Sequence, residues 1–539
     1  MNDIDARKAC AARAAPPPAR QVRRKHAPAT GLATGLATGL ATGFTLGLAL
    51  LLGGCTLGPD YSRPAIDIPA SFKEDDGITW QRTQADPQAV LPGTWWSAYG
   101  DEVLGSLIER ALQANQNIAA AEASYRAARA TVAASEASLY PVLSLGASAS
   151  RSRNLASTGG SSGSGTQSSL LSTQVSASAT ASWEPDLWGE VRRQVEASRG
   201  SAQASGAQLA GQRLSIAATL ANSYFALRQL DIDIALLGQQ ERIHARVLDM
   251  TRASFQHGLV AADQVLVAQD NLESSIAALA ASRAARAQYE HSIAVLTGVP
   301  PAAFALAPQP EYRFALPPVP LALPSQLLQR RPDVVAAERN AAAANARIGV
   351  AQAAFFPSLT LSAQAGYRNN SLSQLFTAPH RFWTVGPALA GTLFDGGARS
   401  AALESARAGY DQSAANYRQA VLSAFQSVED SLASYQQLQG QARAFGAILQ
   451  RNQQLFASAR AQRSAGSTSE LELLTQQLAL LTAEQNLRDT QGLLTQSSVT
   501  LIRNLGGGWQ WDEAQGTPAS APSSATASSS TPATPHTTP

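Results

Sequence analysis

Cysteine and methionine are nearly absent from this chain of 539 residues, with two of each, while aromatic residues make up 6% and charged ones 15%. No CxxC or HxxxH spacing occurs, the six histidines are scattered, and no phosphate-cradling glycine loop with a lysine follows a strand. FDGGARS, the one stretch resembling such a loop, lacks the lysine and opens a long helical run. Zinc, redox-cysteine and nucleotide chemistry therefore have no motif to rest on. We read the chain as a non-enzyme with no metal and no catalytic residue. The shortage of bulky aromatics argues against a thick globular core. Abundant Ala, Ser, Gln and Leu suit closely packed helices instead.

Most of the positive charge belongs to the start of the chain. Residues 1–54 read as a signal peptide: Arg20, Arg23, Arg24 and Lys25 precede a Gly- and Thr-rich apolar run that ends at Leu52-Gly53-Gly54-Cys55. A membrane-spanning helix from Leu32 to Leu52 is the alternative, disfavoured by that composition and by the stop at a cysteine. Because Met1 and Met250 are the only methionines, translation starting near Val22 is a further expectation. Removal of the segment takes away seven Lys/Arg and two Asp/Glu, leaving a net charge of −3, so nothing points to nucleic acid as a partner. The opposite end, 509–539, almost wholly Pro, Ser, Thr and Ala from Gly516 onward, is expected to be disordered.

Between the ends the chain repeats itself. Gly189 and Gly397, Gly258 and Gly466, and Gly298 and Gly506 are each 208 residues apart; Glu122 and Glu338, and Pro141 and Pro357, are 216 apart. The eight extra residues of the first copy therefore fall between Pro141 and Gly189, and the Ser/Gly-rich stretch from Ser152 to Ser169 is where the sequence suggests they lie. Helices of nearly seventy residues, without proline, are predicted from Gly189 and from Gly397, each followed by a Gly-centred turn and a return helix. At 1.5 Å per residue such a helix is on the order of 100 Å long and needs long neighbours.

After Pro141 and Pro357 the periodicity changes to two. Leu143, Leu145, Ala147 and Ala149 alternate with Ser and Gly; Val175, Ala177, Ala179, Ala181 and Trp183 alternate with Ser and Thr; Leu359, Leu361, Ala363, Ala365 and Tyr367 do the same, and Phe382 to Phe394 less cleanly. Four strands of about ten residues are expected. Tyr140, Trp183, Phe355, Phe356, Tyr367, Phe382, Trp383 and Phe394 lie near their ends, as in the aromatic girdles of a membrane barrel. A soluble sheet with one wet face is the alternative. Four strands cannot close a barrel, so a membrane reading requires several chains.

LLQRRPDVVAAERNAAAANARIGVAQAAFFPSLTLS (Leu327 to Ser362), GPALAGTLFDGGARS, GPDYSRP and WWSAYGDEVLGSLIERAL resemble the outer-membrane factor lipoproteins of RND-type tripartite efflux systems, the TolC/OprM/NodT-like proteins. The resemblance runs from about Cys55 to Leu505. It implies a mainly α fold with a membrane β-barrel part: a homotrimer in which each chain gives four strands to one barrel and long coiled helices to a periplasmic α-barrel. It divides the chain into an arm (55–100), a first repeat (101–299), a connection (300–323), a second repeat (324–508) and the tail. Cys55 would carry covalent lipid as the only added group. Gly258, Leu259 and Val260, with Gly466, Ser467 and Thr468, would be tips docking on a periplasmic adaptor, the membrane fusion protein, itself joined to an inner-membrane RND transporter. Relatives often carry an aspartate nine residues before the second tip glycine. This chain has Ala457 there and Asp249 at the first-copy equivalent, which makes both gate candidates, though Asp249 also fits a solvated or paired helix charge. The implied function is a passive conduit for drugs or other small molecules across periplasm and outer membrane. Type I secretion or metal export, and a structural periplasmic coiled-coil lipoprotein, are the alternatives.

Overall fold

The computed structural model describes residues 56–69, 72–73, 93–156, 168–317, 330–509, 511–512 and 517–518. Cys55, the signal peptide and most of the tail lie outside these residues. A 3-10 turn, Trp95–Tyr99, leads into α1 (Glu102–Ala114) and α2 (Gln116–Ala137). Asp101 caps α1 by accepting the Leu104 amide at 3.0 Å, and Asn115 caps α2 with bonds from the amides of Asn117 and Ile118. The strands β1 (Val142–Ala156) and β2 (Ser168–Trp183) follow, then α3 (Glu190–Gln256) and α4 (Ala262–Leu296). The second copy contains α5 (Pro332–Ala353), β3 (Ser358–Asn369), β4 (Arg381–Ala390), α6 (Ala398–Ser464) and α7 (Glu470–Asn504). Two short strands, β5 (Trp511–Asp512) and β6 (Thr517–Pro518), pair inside the stretch expected to be irregular.

The duplication is visible in these bounds. Helices α3 and α6 both have 67 residues and α4 and α7 both have 35, offset by 208, while α2 and α5 both have 22, offset by 216. The extra residues of the first copy lengthen its strands, and only part of them, at 152–156 and 168–169, falls within the Ser/Gly stretch. The segments joining the strands, 157–167 and 370–380, are equal in length, whereas β1 and β2 run to 15 and 16 residues against 12 and 10 for β3 and β4. Strands of ten residues were thus too short an expectation for the first hairpin: Ser and Arg continue the ladder as readily as Leu and Ala, since backbone bonds carry it.

Helices α3 and α6 are the two long elements of one helix layer. Beside them, α2 and α5 fill the end next to the sheet, and α4 and α7 fill the far end. Close approach relies on missing side chains: a Cβ on Gly200 would sit 3.1 Å from Ala343 of α5. Where five helices meet, Trp95, Tyr99, Leu104, Ile108, Leu220, Phe225, Ile293, Leu432, Val499 and Ile502 form the largest apolar cluster. The two copies of the short helix differ sharply in their surroundings. In α5 thirteen residues are buried, but in α2 only Ile118 is. Helix α5 is enclosed by α3 and α6, whereas α2 forms an open edge of the layer.

Candidate functional site

The four strands form one antiparallel sheet in the order β1-β2-β3-β4, with β2 and β3 pairing across the two copies. Register places all odd-numbered residues on one face: Leu143 opposes Ala181, Ala177 opposes Tyr367, and Ala365 opposes Trp383. That face is apolar and open, with Leu145 87%, Trp383 75%, Leu143 74%, Leu389 68% and Val385 67% exposed. Large apolar side chains exposed on both edge strands of one face are not left to water in a folded protein, so this face is built for a lipid or protein covering. The even face carries small hydroxyl residues that bond one another, as in Ser148 to Ser176 at 2.9 Å and Gln364 to Ser178 at 3.1 Å. Its one described charge is Arg368, whose guanidinium lies 4.7 Å from the Phe382 ring. Phe382, expected among the girdle aromatics, therefore belongs to the polar face, because it pairs with Gly366. Strand β4 also ends at Ala390, short of Phe394. The cleaner alternation missed in the sequence runs through Trp383, Val385 and Leu389, one register step from Phe382.

At the far end of the long helices, both tips have the same backbone. Gly258 and Gly466 have φ of 70° and 73°. Leu259 donates to the Ser254 carbonyl and Gly258 to that of Phe255, both at 2.9 Å; Ser467 to Gln462 and Gly466 to Arg463 repeat the pattern at 2.9 and 3.1 Å. These are Schellman turns, which use glycine because its missing Cβ makes positive φ accessible. Leu259 is 76% exposed. The second tip is tied more closely: Ser467 Oγ also bonds the Gln462 carbonyl, and the Ser469 hydroxyl caps α7 by accepting the Glu472 amide. Asp249 and Ala457 occupy equivalent exposed positions on α3 and α6, nine residues before their tips. Near the tips the two copies are joined by Arg246 of α3, which donates to Glu470 of α7 at 3.0 Å, while Arg463 approaches the same carboxylate at 3.7 Å. These cations hold the Glu470 carboxyl below its usual range, Arg246 contributing most.

Midway along the helices lie two polar centres that single-sequence reading missed. Asp231, fully buried, accepts from Arg228 at 2.9 Å, from Arg286 of α4 at 2.6 Å and from the Gln309 amide at 3.0 Å. Arg228 and Arg286 also donate to the carbonyls of Ala307 and Leu306, so the ion cluster straps the connecting segment to the helices. The i,i+3 pair Arg228 and Asp231 was legible in the sequence. Its third member comes from another helix and was not. On the neighbouring face Asp233 of α3 and Asp489 of α7 meet around Gln229, whose amide donates to both. Burial, followed by the nearby Asp489 charge, pushes Asp233 up to about 8, and burial raises Asp489 as well.

The arm is fastened where the sheet joins α3. Arg193, 5% exposed, donates to the carbonyls of Leu57 at 3.0 Å and Gly58 at 3.2 Å and to Asp60 at 2.8 Å. Gly349 of α5 makes room for this, since a Cβ there would lie 2.8 Å from the Leu57 carbonyl. Further along, Tyr61 donates to buried Glu338 at 2.8 Å, and Asn345 donates to the Pro59 carbonyl. Much of the sequence stretch carrying the resemblance is thus the socket of the arm.

A family model for outer membrane efflux proteins matches residues 107–299 and 323–507, the two copies in turn. The chain belongs to the outer membrane efflux protein family. It is 30% identical over 464 residues to the probable efflux pump outer membrane protein TtgC of Pseudomonas putida, covering 86% of this chain and 94% of that protein. It is also 30% identical over 470 residues to the cation efflux system protein CusC of Escherichia coli K12, covering 86% and 98%. Among solved structures, the open state of the MtrE outer membrane channel of Neisseria gonorrhoeae superposes with a TM-score of 0.73 at 27% identity, over 84% of this chain and 98% of that one. Like its relatives, this outer membrane efflux protein is a TolC-like channel in the outer membrane that extends into the periplasm. The apolar odd face of its sheet is the lipid-facing surface, and the hydroxyl-rich even face lines the channel. The family is a class of conduits, not of enzymes.

Proposed function

We propose that three copies of this chain form one closed conduit through which drugs or other small molecules leave the cell. The observation that carries this reading is that the open edges coincide. Strand β1 and helix α2 bound the protomer on one side, β4 and α6 on the other, and both the ladder and the helix layer stop there with unsatisfied groups and exposed apolar residues. Joining β4 of one copy to β1 of the next removes every edge at once, which a membrane demands. Three copies of four strands make a twelve-stranded barrel continued by a helical barrel.

The tips at Gly258, Leu259 and Val260 and at Gly466, Ser467 and Thr468 dock on a periplasmic adaptor, which links the conduit to an inner-membrane RND transporter. Exposed Leu259 supplies an apolar anchor on a rigid turn. Asp249 is the polar gate residue of the first copy, with Ala457 leaving the second-copy helix without a charge at that height. Opening is then a population shift that adaptor contacts favour. The protein does no chemistry on its cargo and needs no cofactor beyond lipid on Cys55, which adds membrane affinity to a barrel that already holds the trimer. Type I secretion, metal export and a purely structural role are the competing readings. Planar bilayer recording on the purified protein decides the central claim: trimers should give discrete conductance steps, and a trimer that conducts nothing refutes the conduit. Restoration of drug resistance to a strain lacking its own outer-membrane channel, dependent on an RND transporter, separates small-molecule efflux from the transport alternatives.

A further inference from the structure

The two membrane hairpins, Val142 to Trp183 and Ser358 to Ala390, contain four arginines and no aspartate or glutamate. Carboxylates reappear at once where the strands rejoin the helices, as Glu184, Asp186 and Asp395. Charge is therefore sorted along the membrane axis, with cations alone toward the end opposite the periplasmic helices. Three of these arginines, Arg151, Arg153 and Arg381, are odd-numbered and stand on the lipid-facing side of the sheet. Arg151 lies eight residues beyond Leu143 on β1, and Arg381 lies eight residues beyond Leu389 on β4. At about 3.4 Å per residue and the usual tilt, eight residues rise roughly 20 Å, close to the top of an apolar band about 25 Å tall. The long arginine stem spans what remains.

Strands β1 and β4 are the two edges of the sheet. Resting on the trimer reading above, closure of the barrel brings the outer end of β4, with Arg381, beside the outer end of β1 of the next copy, with Arg151, three times around the ring. Both are exposed, and neither pairs with a carboxylate among the described residues. Arg153 already has a partner within the protein, so Arg151 and Arg381 define the site. Two guanidiniums meeting at the headgroup level repel unless an anion lies between them, and a phosphate can accept paired N–H bonds from both.

We infer that each seam between copies binds the phosphate headgroup of an outer-leaflet lipid, clasped by Arg151 of one copy and Arg381 of its neighbour. The lipid bridges two protomers and so stabilises the ring from outside, without touching the conduit. Charge sign, height and face all favour a phosphorylated lipid over a soluble anion, since the apolar surface below the arginines receives the acyl chains.

Native mass spectrometry of trimers released from vesicles tests the inference. The vesicles are phosphatidylcholine with or without phosphatidic acid, which presents a phosphomonoester. Trimers from the mixed vesicles should retain up to three phosphatidic acid molecules. The double variant Arg151→Gln/Arg381→Gln should retain them roughly 30-fold more weakly, as expected for two arginines at an anionic surface, while conducting normally. Arg151→Lys/Arg381→Lys, which keeps charge but loses the fork, should fall between. Equal retention by wild type and the glutamine variant overturns the seam site, as does retention of inorganic phosphate alone. A wild-type protein that is not trimeric overturns the trimer reading and the site with it; trimers without bound phosphatidic acid overturn the site alone.

Discussion

Replacing Asp233 with asparagine should make the protein more stable at neutral and mildly alkaline pH, and the gain should vanish in acid. Asp233 is 8% exposed, and it shares the Gln229 amide with Asp489 across the contact between α3 and α7. Its carboxyl is raised to about 8, by burial first and by the Asp489 charge second. A folded-state value above the unfolded one means the native protein holds a proton that the unfolded chain releases. The associated stability is complete below about pH 4, declines as pH rises, and is lost once pH passes about 8. Asparagine keeps the shape of a protonated aspartate and never ionises. A full shift of this size at 1.36 kcal/mol per unit is an upper bound, because helices relax and water enters; on the order of 2 kcal/mol at pH 8 is the working magnitude. Urea titrations followed by circular dichroism at 222 nm, at pH 5, 6, 7 and 8, would read the difference between variant and wild type. With the Asp233 carboxyl raised, that difference should grow with pH. A constant difference, or a variant less stable than wild type at pH 8, refutes a buried, protonated Asp233 at this contact.

Four other consequences are open to measurement. Asp231→Ala leaves Arg228 and Arg286 buried without their carboxylate and should cost about 3–5 kcal/mol, read as an earlier unfolding midpoint. Gly349→Val drives a side chain into the Leu57 carbonyl and the Arg193 stem, so the arm should become sensitive to limited proteolysis while the helices remain resistant. Asp249→Ala should raise single-channel conductance if that carboxylate narrows the tip, whereas Ala457→Asp should lower it; unchanged conductance in both removes these positions from the gate. Leu259→Asp should abolish complementation of efflux with trimer yield and conductance intact, and a variant that still complements excludes the first tip from docking.

The helices, the strands and the duplication were legible because each leaves a local mark. Proline after Tyr140 and Phe356 ends a helix, a positive-φ glycine ends the next, and alternation of period two names the membrane face. Where the mark was weak the expectation slipped by a register step, as with Phe382, or stopped early, as at the outer end of β1. Composition alone had placed the extra eight residues in a Ser/Gly loop, but backbone pairing is indifferent to side chains and carried the ladder on through Arg151 and Arg153.

Helix length, the matching offsets of 208 and 216, the alternating faces and the family were determined by the sequence itself, since all depend on short-range spacing or on similarity. Only the tertiary structure decided which partners meet across the layer: Arg286 with Asp231, Asp489 with Asp233, Arg246 with Glu470, and the arm with Arg193. It alone also showed that α2 and α5, alike in length and composition, are an open edge and a buried centre. The physical reason is that burial and pairing are properties of neighbours, and a repeated sequence has the same residues in both copies but not the same neighbours.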